Sequence, residues 1–134
     1  MFPKAIIATF CVALFGALML DGVASARGQR TQLRGQTSQG HQIQLAARNR
    51  SVVIKHLTAR LRCRGGAVLI DDESGFLPTP VRHGRFSDKQ FGSTDEVMIR
   101  GRLRGKRLDG KVRVRDRLGR ARCDSGWVRF AAKR

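Results

Sequence analysis

The chain has 134 residues, with 27 Lys or Arg against 10 Asp or Glu, and its formal net charge is +17. This length fits a single small domain. A charge of this size repels itself and attracts polyanions, and the sequence contains no phosphate-binding loop or dinucleotide-binding fingerprint.

The first 26 residues have the pattern of a secretory signal peptide. Lys4 precedes an uncharged, largely apolar run from Ala5 to Leu20, and Ala24-Ser25-Ala26 forms a small-residue cleavage site. The alternative is an uncleaved membrane anchor, but the run is shorter than the roughly 20 residues that a span needs. We therefore expect residues 1–26 to be removed, leaving 27–134 as one secreted β domain, extracellular or associated with the cell wall.

Two strands are predicted before residue 49. The first covers 31–38, with Leu33 as its main core candidate, and a turn follows at 39–41. The second begins at Gln42 and alternates cleanly, as a half-buried strand does. Its expected inward side chains are Ile43, Leu45 and Ala47, with Gln44 and Ala46 outward.

A turn at 49–51 leads into a third strand that ends before Gly65. Its start, 52–54, does not fit one alternation, so we expect a β-bulge there. Beyond that point the predicted inward residues are Leu57, Ala59, Leu61 and Cys63, and the outward ones are Arg60, Arg62 and Arg64.

The segment 67–94 carries weaker signals. A short fourth strand is predicted over 67–70, ending in the acidic cluster Asp71-Asp72-Glu73. Pro78 and Pro80 make 74–80 a loop or an edge segment. A short strand over 84–87 places Phe86 inward, and in the following loop, 88–94, we expect Phe91 to cover one end of the core.

The stretch 97–115 predicts a hairpin with one apolar and one basic face. With the loop at Gly105-Lys106, every inward residue meets an inward residue, which is the register that a true hairpin shows. Glycine at the first loop position suits a type II′ turn. The predicted inward pairs are Val97 with Val114, Ile99 with Val112, Gly101 with Gly110, and Leu103 with Leu108.

The final strand is predicted over 121–131, after a turn at 116–120. Trp127 and Phe130 have opposite parity, and we expect Val128 and Phe130 to face inward. No window after the leader sustains a helical apolar period. About eight antiparallel strands separated by glycine turns favour an all-β fold, either a β-sandwich or a small up-and-down barrel.

Cys63 and Cys123 are the two cysteines that remain once the leader, with Cys11, is removed. An even pair in a small secreted domain predicts a disulfide, and two buried free thiols are the alternative. A loop of about 60 residues closed by this bond would stabilise the fold by roughly 4 kcal/mol in the chain-entropy model.

The opposed Gly101 and Gly110 should weaken both hairpin strands. We expect compensation from a bulky neighbour, Phe86, Phe130 or Trp127, or from a sharp bend of the sheet. The functional alternative is a small ligand notch.

Several short motifs resemble a family of small uncharacterised secreted bacterial proteins. The motifs are GxTSxG, GRFS and CxSGxVx[WF]xA. The segments that carry them and the matching positions around them are Gly35–Gly40 with Ile43, Cys63, Gly84–Ser87, Val97–Leu103 with Gly110, and Cys123–Ala132. The resemblance implies a secreted, disulfide-linked β domain and no particular activity.

The side chains that usually carry chemistry show no recognisable spacing. His41, His56 and His83 lack metal-ligand spacing, and the cluster 71–73 lacks the pattern of a calcium loop. Ser38, Ser87 and Ser125 lack a nucleophile elbow. We therefore expect no catalytic residue, no metal and no cofactor, so that the protein is not an enzyme; a hydrolase with a dispersed site is the minor alternative.

The basic face of the hairpin gives the leading functional hypothesis, although a merely solubilising surface is the simpler interpretation. Arginine's fork suits phosphate and carboxylate, so the expected partners are an anionic cell-surface polymer, a glycan or extracellular nucleic acid. A second hypothesis is a small-ligand carrier that uses the barrel interior. Arg60, Arg62 and Arg64 would add to the face if their strand lies in the same sheet. The residues of the predicted face are Arg100, Arg102, Lys111, Arg113 and Arg115. Arg100 would oppose Lys111, a repulsive contact, whereas Asp109 opposite Arg102 and Glu96 opposite Arg115 would partly neutralise the face.

Overall fold

The computed structural model describes Gly28, residues 30–48 and residues 50–134, and this part of the chain contains ten strands and no helix. The strands are β1 (Thr31–Thr37), β2 (Gln42–Arg48), β3 (Ser51–Cys63), β4 (Val68–Glu73), β5 (Thr79–Pro80), β6 (Arg85–Phe91), β7 (Asp95–Arg104), β8 (Arg107–Leu118), β9 (Ala121–Asp124) and β10 (Val128–Lys133).

The strands form one antiparallel sheet that closes into a barrel. The ring of paired strands runs β1, β2, β3, β9, β8 and β10, and it closes because β10 pairs with both β1 and β8. Strand β7 pairs with β8, and β6 pairs with β7, while β4 and β5 pair with β3. The predicted all-β class is confirmed, with ten strands rather than about eight and a closed barrel rather than a sandwich.

The core consists of the inward side chains of this sheet. Each fully buried aliphatic side chain contributes about 1.5–3 kcal/mol to stability. Most of the residues that were predicted to face inward belong to this core. The core members on β1 to β3 are Leu33, Ile43, Leu45, Val52, Ile54, Leu57, Ala59 and Leu61, and those on β6 to β10 are Phe86, Val97, Ile99, Leu108, Val112, Val114, Cys123, Val128, Phe130 and Ala132.

The predicted hairpin of β7 and β8 is confirmed residue by residue. All four inward pairs occur, from Val97 opposite Val114 to Leu103 opposite Leu108. Gly105, in the two-residue loop, has φ 55°, a conformation that glycine adopts at little cost.

The two glycines of this hairpin are each covered by a phenylalanine on a neighbouring strand. Phe86 lies directly opposite Gly101, and Phe130 directly opposite Gly110. A Cβ at Gly101 would lie 2.6 Å from Phe86 Cζ, and one at Gly110 would lie 2.8 Å from Phe130 Cζ. The expectation of a bulky neighbour is confirmed, and the rings occupy the space in which a ligand notch was the alternative.

Cys63 and Cys123 form the predicted disulfide. They are directly opposite each other on β3 and β9, with Cα atoms 3.8 Å apart. The bond therefore ties the end of the long strand β3 to the short strand that connects it with β8.

The segment 67–94 differs most from the sequence prediction. Strand β4 includes the acidic cluster. Asp71 and Glu73 lie on the same, inward side of the strand as Leu69, while Val68 and Ile70 are exposed. Strand β6 continues beyond residue 87 to Phe91, which pairs with Glu96 on the outward side. Phe91 is 70% exposed, so the prediction that it covers the core is wrong.

Three other details are corrected. The predicted final strand is interrupted at 125–127, giving β9 and β10, and Val128 and Phe130 face inward while Trp127 is 39% exposed. Ala46, which was predicted to face outward, is buried, and nothing in the structure explains its burial. A bulge is present, but at Lys55 rather than within 52–54 as predicted; there β3 gains one residue relative to β2.

The proposed leader, residues 1–26, lies outside the described residues, as does Asn49 of the predicted turn. Within the described ranges, no helix has the length and apolar character that a membrane span needs.

Candidate anion-binding face

The five predicted cations lie on the outward side of β7 and β8. Arg100 opposes Lys111 and Arg102 opposes Asp109, as the sequence predicted. The structure then divides the five into two groups according to whether an acidic side chain neutralises them.

Arg113 and Arg115 are neutralised by acidic side chains. Arg113 Nε donates to Asp124 Oδ1 over 2.9 Å, and Arg115 Nε donates to Asp124 Oδ2 over 3.3 Å. Glu96 adds a second carboxylate, 3.7 Å from Arg115 Nη1. The hydrogen bond from Arg113 lowers the pKa of Asp124 and raises that of Arg113. These two arginines are therefore engaged within the protein.

Arg100, Arg102 and Lys111 have no such partner among the described residues. Asp109, opposite Arg102, instead accepts a 2.9 Å hydrogen bond from Arg107 Nε on its own strand. The predicted neutralisation of Arg102 by Asp109 therefore does not occur as an ion pair.

Two further cations, absent from the predicted face, complete it. Arg85 on β6 pairs with Arg102, and Arg129 on β10 pairs with Lys111. Neither forms an ion pair within the described part of the chain. We call the resulting set the cation face; its members are Arg85, Arg100, Arg102, Lys111 and Arg129.

The arginines of β3 lie elsewhere. Arg62 opposes Asp124 on β9, and Asp124 in turn opposes Arg115. Strand β9 and its acidic residue therefore separate Arg60, Arg62 and Arg64 from the cation face, so the possibility that they extend it is not realised.

Trp127 is fixed beside the cation face by a short hydrogen-bonded turn. Gly126, with φ 66°, donates its N–H to Asp124 Oδ1 over 2.7 Å, and Ser125 Oγ accepts from Val114 N over 2.9 Å. The guanidinium carbon of Arg100 lies 4.4 Å from the centroid of the indole ring. This cation–π contact orders Arg100 and covers one face of the only tryptophan.

Two concave regions lie along the cation face. One, of about 810 Å³, extends from Pro80 and Arg82 across β6, β7 and β8, and the other, of about 390 Å³, extends from β7 and β8 to Arg129. Both are lined by Arg102, Gly110 and Lys111. They are neighbouring parts of one depression that crosses the strands.

Acidic side chains lie close together at one end of the barrel. Asp95 and Asp116 oppose each other on β7 and β8, at inward positions. Burial raises the pKa of Glu73 to about 8, with further contributions from a hydrogen bond to Asp71 and from the charges of Asp71, Asp95 and Asp116. In the described ranges no group of three or more His, Cys, Asp or Glu side chains is arranged to hold a metal ion.

Comparison of the chain with protein-family models, with curated proteins and with solved structures finds no match in any of the three.

Proposed function

We propose that this protein is a secreted, non-catalytic β-barrel that binds anionic polymers outside the cell or at the cell wall through its cation face. The observation that carries the proposal is three like-charged pairs directly opposite each other on neighbouring strands. The pairs are Arg85 with Arg102, Arg100 with Lys111, and Lys111 with Arg129.

Such pairs are unfavourable for folding. Like charges directly opposite each other in a sheet destabilise it by a few tenths of a kcal/mol to about 1 kcal/mol each. Arg113 and Arg115 on β8, in contrast, are paired with acidic side chains, Asp124 on β9 and Glu96 on β7. A bound polyanion would supply the counter-charge that the cation face lacks.

The chemistry of the side chains fits this partner. Four of the five cations are arginines, whose planar fork donates two parallel hydrogen bonds to a carboxylate or a phosphate. Arg100 is already ordered by Trp127, and an ordered side chain loses less entropy on binding.

The test is retention on immobilised anionic polymer, measured against salt. The wild type should be retained and should elute with a linear dependence of log affinity on log salt. The variant Arg100→Ser/Lys111→Ser/Arg129→Ser should elute much earlier. A control with the same charge change on β3 and the turn that follows it, Lys55→Ser/Arg60→Ser/Arg64→Ser, should behave nearly as the wild type. Equal elution of the two variants would contradict the proposal.

A further inference from the structure

We infer that the anionic polymer is a linear polyuronate, a polysaccharide with one carboxylate on each sugar, and that it lies across the strands of β6, β7, β8 and β10. This inference rests on the proposed function and specifies its ligand. The observations that carry it are the path of the depression, the spacing of the cations along that path, and the carboxylate of Asp109 on its wall.

The depression lies between two rows of outward side chains. One row contains Ser87, Arg100, Lys111 and Arg129, and the other contains Arg85, Arg102, Asp109 and Ala131. The residues between the rows are Phe86, Gly101, Gly110 and Phe130, whose side chains, where present, point inward. On the outer surface these positions are therefore backbone, and they form the floor of a furrow that crosses four strands.

The furrow offers one cation or more on each strand that it crosses. Arg85 lies on β6, Arg100 and Arg102 on β7, Lys111 on β8, and Arg129 on β10. Neighbouring strands are about 4.8 Å apart, so the furrow is roughly 14 Å long, with cations at that interval. A sugar residue extends a polysaccharide by about one strand spacing. A polyuronate can therefore place one carboxylate opposite each strand.

Asp109 distinguishes a sugar acid from a polymer of phosphates. Its carboxylate lies on the wall of the furrow, is partly exposed and is held by Arg107. It repels the anionic oxygens of either polymer, and a polyphosphate chain has no hydroxyl group along its length to donate to it. The hydroxyl groups of a sugar, in contrast, can donate hydrogen bonds to it, as they can to Ser87 Oγ.

Trp127 argues against a single-stranded nucleic acid. Proteins that bind such strands stack the bases on free aromatic faces. Here Arg100 covers a face of Trp127, the only tryptophan, and the exposed phenylalanine on β6, Phe91, lies outside the furrow, at the end of that strand. The phosphates of an extended strand are also separated by more than one strand spacing.

The test measures binding of oligogalacturonates of two to six sugars by titration calorimetry, with polyphosphate, oligothymidylate and carboxyl-reduced oligogalacturonate as comparison ligands. We expect affinity to rise with each sugar up to four and then to level off, because the furrow crosses four strands. The reduced oligosaccharide should not bind. Lys111→Ser should weaken binding of the tetramer about tenfold, the loss expected for one charge-assisted hydrogen bond.

The control Arg60→Ser on β3 should leave the affinity for the tetramer within twofold of the wild type. The inference is overturned if polyphosphate or oligothymidylate of equal charge binds as tightly, or if affinity keeps rising beyond four sugars. In either case binding of anionic polymers, and so the proposed function, still stands. If none of the anionic ligands binds, the proposed function fails as well.

Discussion

The ring of Phe86 lies directly opposite Gly101, and a methyl group at that glycine would lie 2.6 Å from Phe86 Cζ. The aromatic ring takes the place of the missing side chain, so the inner face of the hairpin remains closed although two of its residues have none. Phe130 does the same for Gly110. This arrangement also leaves the backbone as the floor of the furrow on the outer surface.

Gly101→Ala should therefore destabilise the protein by about 1–3 kcal/mol, the usual cost of overpacking a core. The cost of Gly101→Ala should be smaller when Phe86→Leu is already present, because leucine lacks the distal ring atom. A loss should remain, since the added Cβ would also meet backbone atoms, the carbonyl oxygen of Asp109 most closely and the Cα of Gly110 at 2.9 Å. Urea denaturation of Gly101→Ala, Phe86→Leu and the double variant measures the coupling free energy between the two positions. Strictly additive losses of stability would contradict the prediction.

His83 has φ 51° and precedes Gly84, which has φ 72°, in the two-residue turn that leads into β6. Two successive residues with positive φ are typical of a type I′ turn, for which Asn-Gly is the preferred sequence. His83→Asn should stabilise the fold by about 0.5 kcal/mol, seen as a higher melting temperature. His41→Asn, outside the residues with positive φ, is the control and should show no gain.

The pKa of Glu73, raised by burial to about 8, predicts how stability depends on pH. The folded protein holds this proton in a range where the unfolded chain, with a pKa of 4.5, has released it. The contribution of Glu73 is thus complete below about 4.5 and is lost as the pH rises through about 8. In Glu73→Gln, the free energy of unfolding should decline less between pH 5 and pH 9. Asp72→Asn, the exposed neighbour, is the control; an unchanged slope in Glu73→Gln would rule out this assignment.

The Cys63–Cys123 disulfide closes a loop with a sequence separation of 60 residues in a small domain. Intact-mass measurement after alkylation without reductant should show no modified cysteine. Cys63→Ser/Cys123→Ser should lower the free energy of unfolding by up to about 4 kcal/mol, by restoring the entropy of the unfolded chain. Alkylation of both thiols in the non-reduced protein would exclude the bond.

The hairpin and the cation face show how far local sequence carries a prediction. The register of β7 and β8 follows from one loop and the parity of consecutive residues, so the pairs from Val97 to Leu108 were predicted correctly. Arg129 shows the limit. Arg129 is predicted to face outward because Val128 and Phe130, on either side of it, face inward. Its position beside Lys111, however, depends on the pairing of β10 with β8, which the residues of either strand do not specify.

The same limit explains the failures in the middle of the chain. Phe91 was assigned to the core because it is aromatic, whereas the register of β6 with β7 places it opposite Glu96 on the outer side. The sequence prediction ends the fourth strand at the acidic cluster, whereas pairing with β3 continues the strand through Asp71 and Glu73. In both cases cross-strand hydrogen bonding outweighed the preference of the single residue.

Asp124 controls how far the cation face extends, because it engages both Arg113 and Arg115. Asp124→Asn would release Arg113 beside Lys111 and leave Arg115 with Glu96 alone, while its amide oxygen could still accept the hydrogen bond from Gly126 N. Affinity for an anionic polymer should rise about threefold or more at low salt, and the dependence on salt should become steeper, since more cations contact the polymer.

The release of these arginines has a cost in stability. The stabilising effect of the lowered Asp124 pKa is present above its unfolded value of 3.8 and is lost as the pH falls through the folded value. Since the pair is partly exposed, its loss in Asp124→Asn should cost at most about 1 kcal/mol near neutral pH. Asp72→Asn gives the same change in net charge on β4 and should alter binding little. Equal gains in the two variants would mean that total charge, rather than the arrangement of the face, determines binding.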